Sequence, residues 1–230
     1  MPWLFASVLA AGCATSLPPP EAPGEPPPLP YAWYAGRANV YSVDPERSKV
    51  LLYVYREGPL SGLGHNHLIR VGDLAGLVYL SDDLVHARAD LAFSAAALEL
   101  DPPGERAAAG REFSSKLSQS DLRATRENML GPDALDAIDH PFIHIRIRPM
   151  ARDRNFLRLL AEVTLRGVTH ASEETVELTL GAGLIELEGT LTVRQSDFGI
   201  TPFSVLGGAI RVRNEVLIRY RIHALLTSDS

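Results

Sequence analysis

One cysteine in 230 residues excludes an intramolecular disulfide framework. There is no run of eighteen apolar residues either, so no segment is built as a bilayer-spanning helix. Basic residues are the scarcer charge, 22 Lys and Arg against 28 Asp and Glu, for a net charge of −6. Nucleic-acid binding needs a concentrated basic face, and this balance argues against nucleic acid as the main partner. The sequence also lacks GxSxG, a glycine-rich phosphate loop, HExxH and any paired cysteine. With no nucleophile or acid–base pair beside a plausible partner, the expectation is a protein that is not an enzyme. The adjacent carboxylates Asp82 and Asp83 fall between alternating segments and read as a solvated turn.

What is present suffices for a core: 46% of residues are apolar and the mean hydropathy is +0.01. That length sets one domain, two at most. The lone Cys13 follows the apolar run PWLFASVLAAG, and the segment ending LAAGC resembles a bacterial lipoprotein signal, in which the cysteine becomes the lipidated N-terminus. No Lys or Arg precedes the run, and Ala10 stands where Leu is more usual. Residues 17–30, LPPPEAPGEPPPLP, cannot form helix or sheet at that proline density and read as an extended spacer of about 40 Å. The expected organisation is a signal peptide over 1–12, a lipidated N-terminus and linker over 13–37, and one domain over 38–226. The location that follows is periplasmic, anchored to a membrane, the outer one in particular.

Period-two alternation dominates the rest. Residues 49–57 and 73–81 cluster β-branched and aromatic residues as strands do, and residues 84–94 alternate in the same way. In FIHIRIRPM, Ile143, Ile145 and Ile147 share one face and His144, Arg146 and Arg148 the other. Four more alternating segments begin at Asn155, Glu174, Leu184 and Asn214, joined by short Gly-, Asp- or Asn-bearing connections. Residues 114–131 break the rhythm and read as a helix ending at Gly131-Pro132, with 132–139 as a further helical turn. The preceding DPPGERAAAGREF reads as a mobile loop. About eight antiparallel strands with one short helical insertion and no βαβ alternation mean an all-β barrel or sandwich. A barrel of that size either fills with side chains or holds one elongated ligand.

The segments YSVDPERSKVLLYVYREG (41–58), ML-x9-HPFIHIRI (129–147), LRLLAEVTLRGVTH (157–170) and VRQSDFGI (193–200) resemble, in that order, the YceI-like polyisoprenoid-binding family of exported bacterial proteins. The resemblance implies an extended, lipocalin-like antiparallel β-barrel with a long apolar tunnel for an isoprenoid or fatty-acid-like lipid. It implies no cofactor, and leaves a homodimer open. An amphipathic lipid gains about 0.8 kcal/mol for each methylene buried. Arg194, and with it Arg166, could meet a phosphate head group at the mouth, beside Asp197, Phe198 and Phe203. Each has a plainer reading, Arg166 and Arg194 as solvated strand arginines and Asp197-Phe198-Gly199 as a tight turn with Phe198 in the core. After Arg56-Glu57 the chain departs from the family pattern with GPLSGLGHNHLIRV, which marks a divergent branch.

That departure contains His65 and His67. In a strand, residues i and i+2 point to the same side, so the two imidazoles could bind one metal ion if a third ligand converged on them. They could equally sit at the tunnel mouth and donate hydrogen bonds to a lipid head group, or structure a turn permitted by Gly62 and Gly64. Consecutive His-Asn-His is not the spread ββα arrangement of the nucleases named for those residues. The functional expectation is a membrane-tethered lipid carrier; the alternative is a histidine-dependent metal- or cofactor-binding domain, and a weaker third is a filled barrel acting as an interaction module.

Overall fold

The architecture follows from strands that run past one another in simple up-and-down order and close. The structure, a computed structural model, describes residues 39–81 and 86–227. Its strands are β1 (Asn39–Val43), β2 (Lys49–Glu57), β3 (His67–Val71), β4 (Ala75–Leu80), β5 (Arg88–Ser94), β6 (Leu98–Leu100), β7 (Phe142–Asp153), β8 (Phe156–Leu165), β9 (Val168–Gly181), β10 (Leu184–Arg194), β11 (Ser204–Val205) and β12 (Ile210–Leu226). Two α-helices, α1 (Pro103–Ala108) and α2 (Gln119–Leu130), lie between β6 and β7. Cys13, the Pro-rich spacer and Asp82-Asp83 lie outside the described residues.

All ladders are antiparallel, in the order β1-β4-β5-β7-β8-β9-β10-β12, and β12 pairs back onto β1. This is a closed eight-stranded barrel. The pairs β1/β2, β3/β4 and β5/β6 are three long strands, each broken once, since β2, β3 and β6 extend the same ladders toward one end. The breaks lie side by side. The first is a turn in which Asp44 Oδ1 accepts from the backbone N–H groups of Glu46 and Arg47. At the second, Asp73 Oδ1 accepts the Ser94 N–H from the edge of the third, a 3-10 turn over Ala95–Ala97.

Strand direction sorts the loops. One end of the barrel carries the long connections 58–66, 101–141 and 195–209, and we call it the insertion end. The other carries Asn39, the tight hairpins at 154–155 and 182–183, and Thr227. The inner face is the expected one: Ile143, Ile145 and Ile147 join Ile69, Val71, Leu91, Phe93 and Ile222 in the core. A second inner cluster, with Leu157, Leu159, Val176, Leu178, Ile185 and Ala224, fills the tight-hairpin end. Burial of this much aliphatic surface is the main stabilising term, roughly 1.5–3 kcal/mol for each fully buried large side chain.

Residues 101–113, expected to be a mobile loop, are ordered. Pro103 opens α1, and a 3-10 turn over Arg111–Phe113 follows. The reason is outside the barrel: Phe113, 2% exposed, packs with Leu51, Tyr53 and Leu68 on the outer face of β2 and β3. Its ring centroid lies 5.6 Å from that of Tyr53 and 5.5 Å from that of Tyr55, both edge-on. The expected helix starts later than residue 114, because Ser118 sets its boundary: Ser118 Oγ accepts the Asp121 N–H and Asp121 Oδ2 accepts the Ser118 N–H. Residues 132–139 form turns and not a helical turn, with Asp136 at φ +49°. Met129, Leu130, Leu135 and Ala137 pack against the core, so this segment covers the insertion end.

Candidate ligand site

The barrel interior holds a cavity of about 70 Å³ in its tight-hairpin half. Leu80, Ala89, Leu159, Leu178, Leu187 and Ala224 line it, and Arg88 is the one polar residue of the sixteen at its wall. Ligand sites for small molecules usually run to about 300–1,000 Å³. The cavity lies well below that range, and its wall is almost wholly apolar.

Strand β9 brings polar groups onto the inward face. In β9, Ser172 and Glu174 lie opposite Ala161 and Leu159 of β8, so they share the inward face with those core residues. Tyr220 of β12 lies opposite Gly189 of β10, again on the inward face. A Cβ on Gly189 would collide with the Tyr220 hydroxyl, its Cζ only 2.7 Å away, so glycine makes the room the phenol occupies. Burial, reinforced by the Glu174 carboxylate, pushes the Tyr220 phenol up to about 12.

The wall is incomplete beside these residues. β9 and β10 are hydrogen-bonded only where Glu177–Gly181 meets Leu184–Glu188. Beyond that, residues 168–176 of β9 have ladder partners only in β8, and residues 189–194 of β10 only in β12. The result is a lateral slot running to the insertion end. Its top is closed by the 3-10 turn Gln195–Phe198, which ends on Gly199 at φ +70°. Phe198, 2% exposed, brings its ring centroid to 6.1 Å from that of His170, and Asp197 Oδ2 stands 3.7 Å from His170 Nε2.

His67 and His65 lie at the insertion end. His67 opens β3 on the same face as Ile69 and Val71. Its Nδ1 is 2.6 Å from Asp101 Oδ2. Asp101, whose side chain is 1% exposed, also accepts the Leu68 N–H at 2.9 Å and pairs with the buried Arg106. Burial opposes ionisation of Asp101, but the hydrogen bonds from His67 and Leu68 and the charge of Arg106 outweigh it and hold the carboxyl below its ordinary range. Arg106 donates further to the Asn66 carbonyl at 2.8 Å and to Ser115 Oγ at 2.9 Å. His65 is held neutral to lower pH, first by burial and then by His67, and its Nδ1 has no hydrogen-bond partner among the described residues. The two rings are 6.4 Å apart between centroids. No group of three His, Cys, Asp or Glu arranged to hold a metal occurs among the described residues.

Of the residues singled out by sequence, Phe198 is buried and Asp197 meets His170. Arg194 faces outward, its Nε 3.8 Å from Glu215 Oε1, and Phe203 is 52% exposed on the β10–β12 loop. Arg166 sits in the β8–β9 turn at φ +52°. These residues cluster at the insertion end without meeting in one pocket, away from the apolar cavity. Asp101, Arg106, Glu174 and Tyr220 were not singled out. The first two lie in and beside α1, where the sequence reads as loop, and the others alternate as ordinary strand residues.

The YceI-like domain family model matches residues 41–224. Among solved structures, Burkholderia cenocepacia BcnA is similar over 79% of this chain and 98% of its own, at 14% identity and a TM-score of 0.58. A mutant Campylobacter jejuni YceI protein with a monobromobimane guest is similar over 70% of this chain and 85% of its own, at 11% identity and a TM-score of 0.50. No curated protein matches the sequence.

Proposed function

Because the chain belongs to the YceI-like domain family, we propose that it is a non-enzymatic carrier that holds one elongated apolar molecule, isoprenoid or fatty-acid-like, inside the barrel. The observation that carries this reading is the closed barrel with an aliphatic inner face and a remaining cavity bounded almost wholly by Leu, Ile, Val and Ala. An apolar chain gains about 0.8 kcal/mol per methylene buried there and needs few polar contacts. Since the cavity is about 70 Å³, ligand entry requires inner side chains to move apart. The slot between β9 and β10 is where the wall yields with no ladder bonds to break, and Glu174 and Tyr220 stand inside it to meet a hydroxyl or other donor head group.

In this reading the protein is a periplasmic lipoprotein tethered through Cys13. The first described residue, Asn39, starts β1 at the end that holds the cavity, which supports a tether that keeps that end toward the membrane. Native mass spectrometry of the full chain, purified without a histidine tag from an exporting host, tests the proposal. A lipid-sized increment extractable into organic solvent is the expected result. A metal-sized increment lost on chelation and in His65→Ala would establish the histidine-dependent alternative instead. An unliganded mass that persists after isoprenoid alcohols and fatty acids are added back would overturn the carrier.

A further inference from the structure

Outside the barrel, a cleft of about 320 Å³ lies between the end of β2, the β2–β3 loop and the 3-10 turn Arg111–Phe113. We propose that this cleft binds a small phosphate or diphosphate group. Arg56, Arg111 and Arg213 line it, with Glu112 the one acidic residue at its wall. That is a concentrated positive site on a chain whose net charge is −6.

The three arginines are prepared differently. Arg56 is fixed by donating to the Gly64 carbonyl, and its backbone N–H donates to Asn66 Oδ1 at 3.0 Å. Arg213 places Cζ 5.3 Å from the Tyr55 ring centroid. Its Nε is 4.0 Å from Glu57 Oε2, and Arg211 takes the other oxygen, Oε1, at 2.6 Å. Arg111 makes no side-chain hydrogen bond or ion pair among the described residues. Ser61, Ser114 and Ser115 add hydroxyls at the wall. Ser115 Oγ accepts from Arg106 at 2.9 Å, so its own proton is free to donate. Asn66 is spent on structure, since its Nδ2 donates to the Glu112 carbonyl at 3.0 Å.

Guanidinium forks match phosphate oxygens in pairs, and those of Arg111 and Arg213 beside hydroxyls suit a group with several acceptor oxygens better than a single carboxylate. Tyr55 follows Leu51 and Tyr53 on the outer face of β2, so the barrel wall separates this cleft from the apolar interior. The proposal does not rest on the carrier reading.

Isothermal titration of the full chain with sodium pyrophosphate and inorganic phosphate at low salt tests it, with Cys13→Ser throughout to prevent membrane insertion. Saturable binding is expected, pyrophosphate tighter, with Arg111→Ala weakening it about tenfold or more and Glu112→Gln tightening it. Arg111→Ala removes a side chain with no structural partner, so its melting temperature should stay unchanged. Two sources share this chemistry, soluble phosphate compounds and lipid head groups. Co-sedimentation with phosphatidylglycerol vesicles that pyrophosphate competes away, and that Arg111→Ala loses, assigns the head group; pyrophosphate binding without vesicle association assigns a soluble ligand. No titratable heat at millimolar pyrophosphate, or binding indifferent to Arg111→Ala, overturns the proposal.

Discussion

Asp101 Oδ2 lies 2.6 Å from His67 Nδ1 while Oδ1 takes the Leu68 N–H and the Arg106 guanidinium, so one buried carboxylate ties β3 to the insertion. Asp101→Asn leaves Arg106 buried without its counter-charge. The expected loss is about 3–5 kcal/mol, the range for breaking one partner of a buried pair, and urea denaturation measures it. The same carboxyl titrates lower in the folded protein than in the unfolded one. Its stabilisation is therefore complete above the ordinary carboxyl range, about pH 4, and is lost as pH falls through the folded value. The urea midpoint of the parent protein should drop more steeply below that pH than the midpoint of Asp101→Asn.

Gly189→Ala should destabilise the barrel by about 1–3 kcal/mol through overpacking, because the new methyl lands on the Tyr220 hydroxyl. Pairing it with Tyr220→Phe removes the atom it strikes, and the double variant should melt higher than Gly189→Ala alone. Equal melting temperatures would show that the strands simply shift.

Ala224 is 1% exposed and lines the interior cavity, so Ala224→Leu fills space that the proposed ligand needs. The variant should fold, at a cost of about 1–3 kcal/mol, and lose the lipid-sized increment in native mass spectra. Retention of the ligand would place the binding site elsewhere.

Hydrogen exchange should expose the slot. Along residues 189–194 every second amide lacks a ladder partner, whereas residues 184–188 are bonded on both sides. Alternating fast exchange is expected in the first stretch and uniform protection in the second. Added ligand should slow the fast set if entry occurs there.

Where strands carry one apolar and one polar face, the sequence reads true: β2 runs over residues 49–57 as expected, and the three isoleucines of β7 point inward. Alternation fails where both faces are covered. In β3, Leu68 lies beneath the insertion and Ile69 in the barrel, so HLIRV shows no period and does not announce a strand. It fails in the opposite sense in β9, whose inward Ser172 and Glu174 are polar, and there the expected strand began at residue 174 instead of 168. The site was less legible than the fold. His65 and His67 stand out as letters, but nothing local in DPPGER announces that Asp101 and Arg106 turn back to meet β3 across the intervening strands.

The seam that closes the barrel joins Tyr41 to Leu226, nearly the first described residue to nearly the last. No shorter portion of the chain can complete the circle. A polypeptide threaded outward from its N-terminus thus keeps β1 waiting until β12 has emerged, and it stays open, with its aliphatic face unsealed, for the whole of its passage. Loop closure over that span is slow compared with local hairpins. Loss of the last few residues of β12 strips β1 of its partner on that side and leaves the seam held by β2 alone.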